Sequence, residues 1–100
     1  MKVIIHAIHF DPDFRLEEHV KQKIQKLEVF NDKIISVDVY LKLDNIVHRY
    51  KDKVAEIRVR LPKYEFFVKH TSKSFELSFN QSFSAVVNQV KKLKERLAFF

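Results

Sequence analysis

The residues best placed to do chemistry in this chain are cations at helical spacing. Arg15, His19, Lys23 and Lys26 recur at steps of four, four and three, and at about 100° per residue they form one stripe along a helix. Leu16, Val20, Ile24 and Leu27 make an apolar stripe beside it, and Glu17, Glu18 and Glu28 fall on the other flank. Residues 11–33 hold five Lys/Arg and six Asp/Glu, so the segment is not basic on average; only one face of it is. Positive charge along the rim of a buried stripe suits docking against a phosphate backbone, which is binding chemistry and not bond-making. A denser cluster, Lys91, Lys92, Lys94 and Arg96, lies near the C-terminus. It reads equally as a polyanion contact or as a solvated helix end whose cations complement the helix dipole, at about 0.3–1 kcal/mol each.

Bond-making chemistry finds little support. His6 and His9 are three apart in an expected strand and should face opposite ways, while His19, His48 and His70 lie on different elements, so no metal-ligand spacing emerges. Ser72, Ser74, Ser78, Ser82 and Ser84 cluster late in the chain without a glycine elbow, and Ser72 reads more simply as a helix N-cap. Asp11 and Asp13, like Glu17 and Glu18, sit where acids complement a helix start. The chain has no Gly, which removes glycine-rich phosphate cradles and dinucleotide fingerprints, and no Cys, which removes disulfides, thiolate nucleophiles and thiolate metal sites. No cofactor is implied.

One hundred residues, 46% of them hydrophobic, make one domain with a real core, and the formal net charge of +6 favours a polyanionic partner: nucleic acid first, an anionic membrane surface second. No apolar run reaches the roughly 18 residues of a membrane span, and the start Met1-Lys2-Val3-Ile4-Ile5 is too short for a signal peptide. A cytoplasmic protein is expected.

The elements that must position these residues follow from periodicity. Residues 2–9 read as a strand, and a helix begins at Asp11 as N-cap with Pro12 in its first turn and runs to about Phe30. Ile35, Val37, Val39, Leu41 and Leu43 alternate with Ser36, Asp38, Tyr40 and Lys42 in a half-buried strand. A polar loop covers 44–52. Ala55, Ile57, Val59 and Leu61 then point inward and Glu56, Arg58 and Arg60 outward, a turn follows at Pro62-Lys63, and Phe66 and Val68 alternate with Phe67 and Lys69. From about Lys73, Phe75, Phe79, Phe83, Val86, Val90, Leu93 and Leu97 recur at helical steps. The fold class is α+β, in the order β-α-β-β-β-α: a four-stranded sheet with two helices on one face, similar to a double-stranded-RNA-binding domain. If the first two strands pair in parallel, the crossover is right-handed. The other sheet face carries Tyr40, Lys42, Arg58, Arg60 and Lys69. The cations expected to bind nucleic acid are Arg15, His19, Lys23, Lys26, Lys33, Lys42, Arg58, Arg60, Lys69, Lys91, Lys92, Lys94 and Arg96, RNA being the form that the resemblance below implies.

This order of elements, with Lys23-x-x-Lys26-Leu27-Glu28, then Asp32-Lys33, then Val39-Tyr40-Leu41-Lys42-Leu43 and the closing Gln89-Val90-Lys91-Lys92-Leu93-Lys94, resembles the ribosome hibernation promoting factors. That sigma-54 modulation protein-like family includes the ribosome-associated inhibitor of translation. The likeness spans nearly the whole chain. It departs at Ser74-Phe75-Glu76-Leu77-Ser78-Phe79-Asn80, where the family's Asp-Met-Tyr-Ala-Ala-Ile-Asp-like pattern has an acid at each end. The resemblance implies binding to the small ribosomal subunit and its rRNA in the channel of messenger and transfer RNA, with translation silenced by occupancy in stationary phase or stress. Some short forms of the family pair ribosomes with a second factor. It further implies a single ribosome-binding domain over 1–100 without the dimerising C-terminal domain of long members, monomeric off the ribosome, with no membrane partner and no small-molecule substrate. The competing readings are a general RNA-binding module without ribosome specificity, a protein-interaction module using the last helix and Phe99-Phe100, and a small enzyme acting on a phosphorylated substrate, for which no acid–base pair or nucleophile is in evidence.

Overall fold

A computed structural model describes residues 1–44 and 52–97. The elements are β1 (Lys2–Ile8), α1 (Phe14–Gln25), α2 (Leu27–Phe30), β2 (Ser36–Leu43), β3 (Lys53–Leu61), β4 (Tyr64–Ser72) and α3 (Phe75–Leu97). The strands lie in the order β1-β2-β3-β4, with β1 parallel to β2 and the rest an antiparallel meander. The parallel pair needs a long connection, which α1 and α2 supply. His48 and the Phe99-Phe100 end lie outside the described residues.

Strand register explains the core. Val3, Val37, Val59 and Phe66 form one row across the sheet, and Ile5, Val39, Ile57 and Val68 form the next. Both rows face the helices, where Val20, Ile24 and Leu27 meet Phe79, Val86, Val90 and Leu93 in one cluster. Alternation sends the intervening rows to the opposite face: Ile4, Asp38, Arg58 and Phe67, then His6, Tyr40, Glu56 and Lys69. The expected layering of both helices on one face holds.

Serines let α3 close on the sheet. Ser78 Oγ donates to the Lys53 carbonyl at 2.6 Å and Ser82 Oγ to that of Ala55 at 3.0 Å, using lone pairs that the ladder of β3 leaves spare. Ser82 Oγ also lies 3.0 Å from His70 Nδ1, and Ser78 Oγ 2.7 Å from Ser72 Oγ. A larger side chain at 78 or 82 would hold the helix off the strand.

Several local expectations are corrected. The first helix is capped by Asp13, whose Oδ1 accepts from the Leu16 N–H at 2.8 Å; Asp11 and Pro12 lie outside it. The helix also does not run unbroken to Phe30: Lys26 N–H bonds back to Lys23 O, a tighter turn that separates α1 from α2. Ile35 precedes β2 and is 57% exposed. Ser72 ends β4 and donates to Ser74 O, while Ser74 Oγ accepts from Leu77 N–H and is the true cap of α3. His9 lies past the end of β1 with a left-handed φ of 68°, so its direction is not set by strand alternation. The turn at Pro62-Lys63 forms as expected, with Lys63 at φ 69° where glycine is usual.

Candidate nucleic-acid interface

Contacts between the helices fix their relative direction. His19 meets Asn80 (Nε2 to Oδ1, 2.9 Å), Lys23 Nζ lies 5.8 Å from the centre of the Phe83 ring, and Lys91 Nζ lies 4.6 Å from that of Phe30. Residues 19, 23 and 30 thus pair in ascending order with 80, 83 and 91, so the two long helices run parallel. The basic stripe of α1 faces the seam between them, and both helices end at the same pole of the molecule.

That alignment is what assembles the site. Lys23, Lys26 and Lys33 from the first helical segment and its following turn come to the same pole as Lys91, Lys92, Lys94 and Arg96 from the last turns of α3. None of these seven makes an ion pair among the described residues. By helical spacing, Lys91 and Lys94 lie on the flank toward α1 and α2, and Lys92 and Arg96 on the other. Leu93 is buried, whereas Lys94, Glu95, Arg96 and Leu97 are exposed, so the final turn of α3 reaches past the core. Lys23 and Lys91 rest their ammonium groups over aromatic faces, which holds two cations in place at the seam.

The opposite end of the seam is different. Asp13, Arg15, Leu16, His19 and Glu76 line an open depression of about 460 Å³. Arg15 is exposed there among acids. His19 packs edge-on against Phe79 at 5.8 Å, and its bond to Asn80 places Nε2–H as donor. Asn80 is one of the two positions where the sequence lacks the acid of the family pattern, and a neutral amide takes the histidine there.

The cations of the outer sheet face are not brought to this pole. Lys42 pairs with Glu56 and lies 5.9 Å from the Tyr40 ring centre. Arg58 pairs with Glu65 at 3.0 Å and covers Phe67 at 5.6 Å. His6 stacks on Tyr40 at 4.5 Å and lies 3.2 Å from Asp38. Only Arg60 and Lys69 of the expected outer set are without an ion-pair partner among the described residues. Two clusters on opposite faces of one sheet cannot lie against the same flat partner, and the helical one carries most of the unneutralised charge. Sequence reasoning did not mark Phe30 and Phe83, the aromatic floors under Lys91 and Lys23. No local spacing could have marked them, because each contact crosses from one helix to another.

A single four-stranded sheet thus carries paired helices on one face, with basic residues along the seam between them. The chain matches the family described as sigma 54 modulation protein / S30EA ribosomal protein over residues 3–98, and it belongs to that ribosome-associated family. Among solved structures, the fold is similar to the N-terminal domain of Thermus thermophilus Protein Y, with a TM-score of 0.77 and 18% identity over 93% of this chain and 99% of that one. It is also similar to a ribosomal subunit interface protein from Coxiella burnetii, with a TM-score of 0.81 and 17% identity over 95% and 99%. No curated protein sequence matches the chain. Among the described residues, no helix is long and apolar enough to cross a membrane.

Proposed function

We propose that this protein binds the small ribosomal subunit through the basic pole of its helical face and silences translation by occupying the channel of messenger and transfer RNA. The observation that carries the reading is the parallel alignment of α1 and α3, which unites two clusters far apart in sequence. A cluster of unpaired lysines reads the shape and phosphates of folded RNA and not its base sequence. Family membership supplies the ribosome as the RNA in question. The mechanism is occupancy: it uses no cofactor or small-molecule substrate, and it operates in the cytoplasm on idle ribosomes in stationary phase or stress.

Co-sedimentation with separated ribosomal subunits at moderate salt tests this. Pelleting with the small subunit, resistant to excess unrelated duplex RNA, is expected. Binding lost to that competitor would identify a general RNA-binding module instead, and failure to pellet with either subunit would end the ribosome reading.

A further inference from the structure

The open edge of β4 carries a pattern that is complementary to itself. The Arg60 carbonyl accepts from Ile35 N–H on the β2 side, so in β3 the polar groups of Lys53, Ala55, Ile57, Val59 and Leu61 face β4. Their partners in β4 are residues 72, 70, 68, 66 and 64, and alternation leaves the N–H and C=O groups of Glu65, Phe67, Lys69 and Thr71 pointing off the sheet. None of these has a backbone partner beyond β4 among the described residues. The edge is nine residues long, and natural sheets usually blunt an open edge of that length.

We infer that β4 pairs antiparallel with β4 of a second copy about a twofold axis at Phe67, joining two sheets into one. In that register Phe67 stands opposite the partner's Phe67, and Glu65 stands opposite the partner's Lys69 on both sides of the axis. All three positions have outward-facing backbone groups, so about six hydrogen bonds form across the join. An aromatic pair flanked by two opposite-charge pairs is a favourable cross-strand set. Sliding the axis to Glu65 or to Lys69 sets like charges against each other, and sliding it to 66 or 68 leaves Phe67 opposite a charge. Glu65 is already oriented by Arg58, which touches Oε1 and leaves Oε2 for the partner.

The helical layer accommodates this join. α3 packs across β3 and β4 through Ser78 and Ser82. With strands about 4.8 Å apart, the two copies of α3 would cross the axis about 10 Å apart, a normal helix packing distance. Ser78 and Ser82 face β3, so the flank of α3 that would meet its copy is the adjacent one, where Ala85 is small and Gln81, Lys92 and Arg96 are exposed side chains that can turn to solvent. The seam that faces α1 stays open. The inference rests on the β4 edge and not on the ribosome reading, although Lys92 and Arg96 lie on the flank nearest the second copy, and it departs from the monomer expected from the sequence.

Sedimentation equilibrium of the purified chain from about 10 to 500 µM tests it. A reversible monomer–dimer equilibrium is expected. Glu65→Lys and Lys69→Glu should each weaken association about tenfold by setting like charges across the axis. An equimolar mixture of the two single variants should regain it as a heterodimer, as should the double swap. Both positions are exposed, and circular dichroism will show each variant folded. A wild-type protein monomeric throughout the range overturns the inference. So do single variants that associate like wild type, or a mixture that fails to recover.

Discussion

Lys91 holds its ammonium group 4.6 Å from the ring centre of Phe30, although the two lie 61 positions apart in the chain. This contact ties the last turns of α3 to α2 and fixes the C-terminal cluster beside the end of the first helical segment. If that cluster contacts RNA, binding should fall steeply with salt. With about five phosphates neutralised, log K against log salt should have a slope of roughly −3 to −5. Changing Lys91, Lys92 and Lys94 to Gln should make the slope shallower by about one unit per lost contact. A salt-independent affinity, or a triple variant that binds and inhibits like wild type, would place the footprint elsewhere.

Charge reversal at Lys23 and Lys26 should reduce ribosome affinity while the fold survives, because both side chains reach solvent at the seam. The same reversal at Arg60 and Lys69, on the opposite face, should cost much less affinity. Filter binding of the two double variants compares the faces directly. Equal losses would mean that the outer sheet contacts RNA as well.

Lys42→Gln should act on stability and not on binding. It leaves Glu56, 7% exposed, without its counter-charge. A loss of about 1–2 kcal/mol in urea unfolding is expected. Adding Glu56→Gln should recover much of it, because the uncompensated charge is then gone. A Lys42→Gln midpoint equal to that of wild type would show the pair contributes nothing.

Ile24→Ala and Phe79→Ala each empty a fully buried site where a helix meets the sheet. Each should lose about 2–5 kcal/mol, read as a lower denaturation midpoint. An unchanged melt for either would contradict the packing of both helices on one face.

The order of elements along the chain, the inward rows and the apolar stripes were legible because period-2 and period-3.6 patterns depend only on local spacing. Boundaries were less so. Asp11-Pro12-Asp13 offers two acceptable caps, and the choice of Asp13 rests on where the chain leaves β1, which no local pattern records. Ser72 and Ser74 posed the same ambiguity at α3, settled by β4 extending to Ser72. The outer cations looked as available as the helical ones. Their neutralisation by Glu56 and Glu65 depends on strand register, through which Arg58 and Glu65 come to lie one step apart across β3 and β4. The uniting of the two basic clusters was likewise hidden, since it needs the relative direction of the helices.

The parallel helices also make the molecule electrically lopsided. Asp11, Asp13, Glu17, Glu18 and Glu76 gather at the starting ends of α1 and α3, and the unpaired lysines at their finishing ends. Such a separation of charge exerts a torque in the field of a polyanion, turning the basic pole forward before any contact is made. The gain appears in the rate of capture more than in the lifetime of the complex. Stopped-flow association should therefore slow sharply as ionic strength rises while dissociation changes little. An association rate indifferent to ionic strength would show that the protein arrives without orientation.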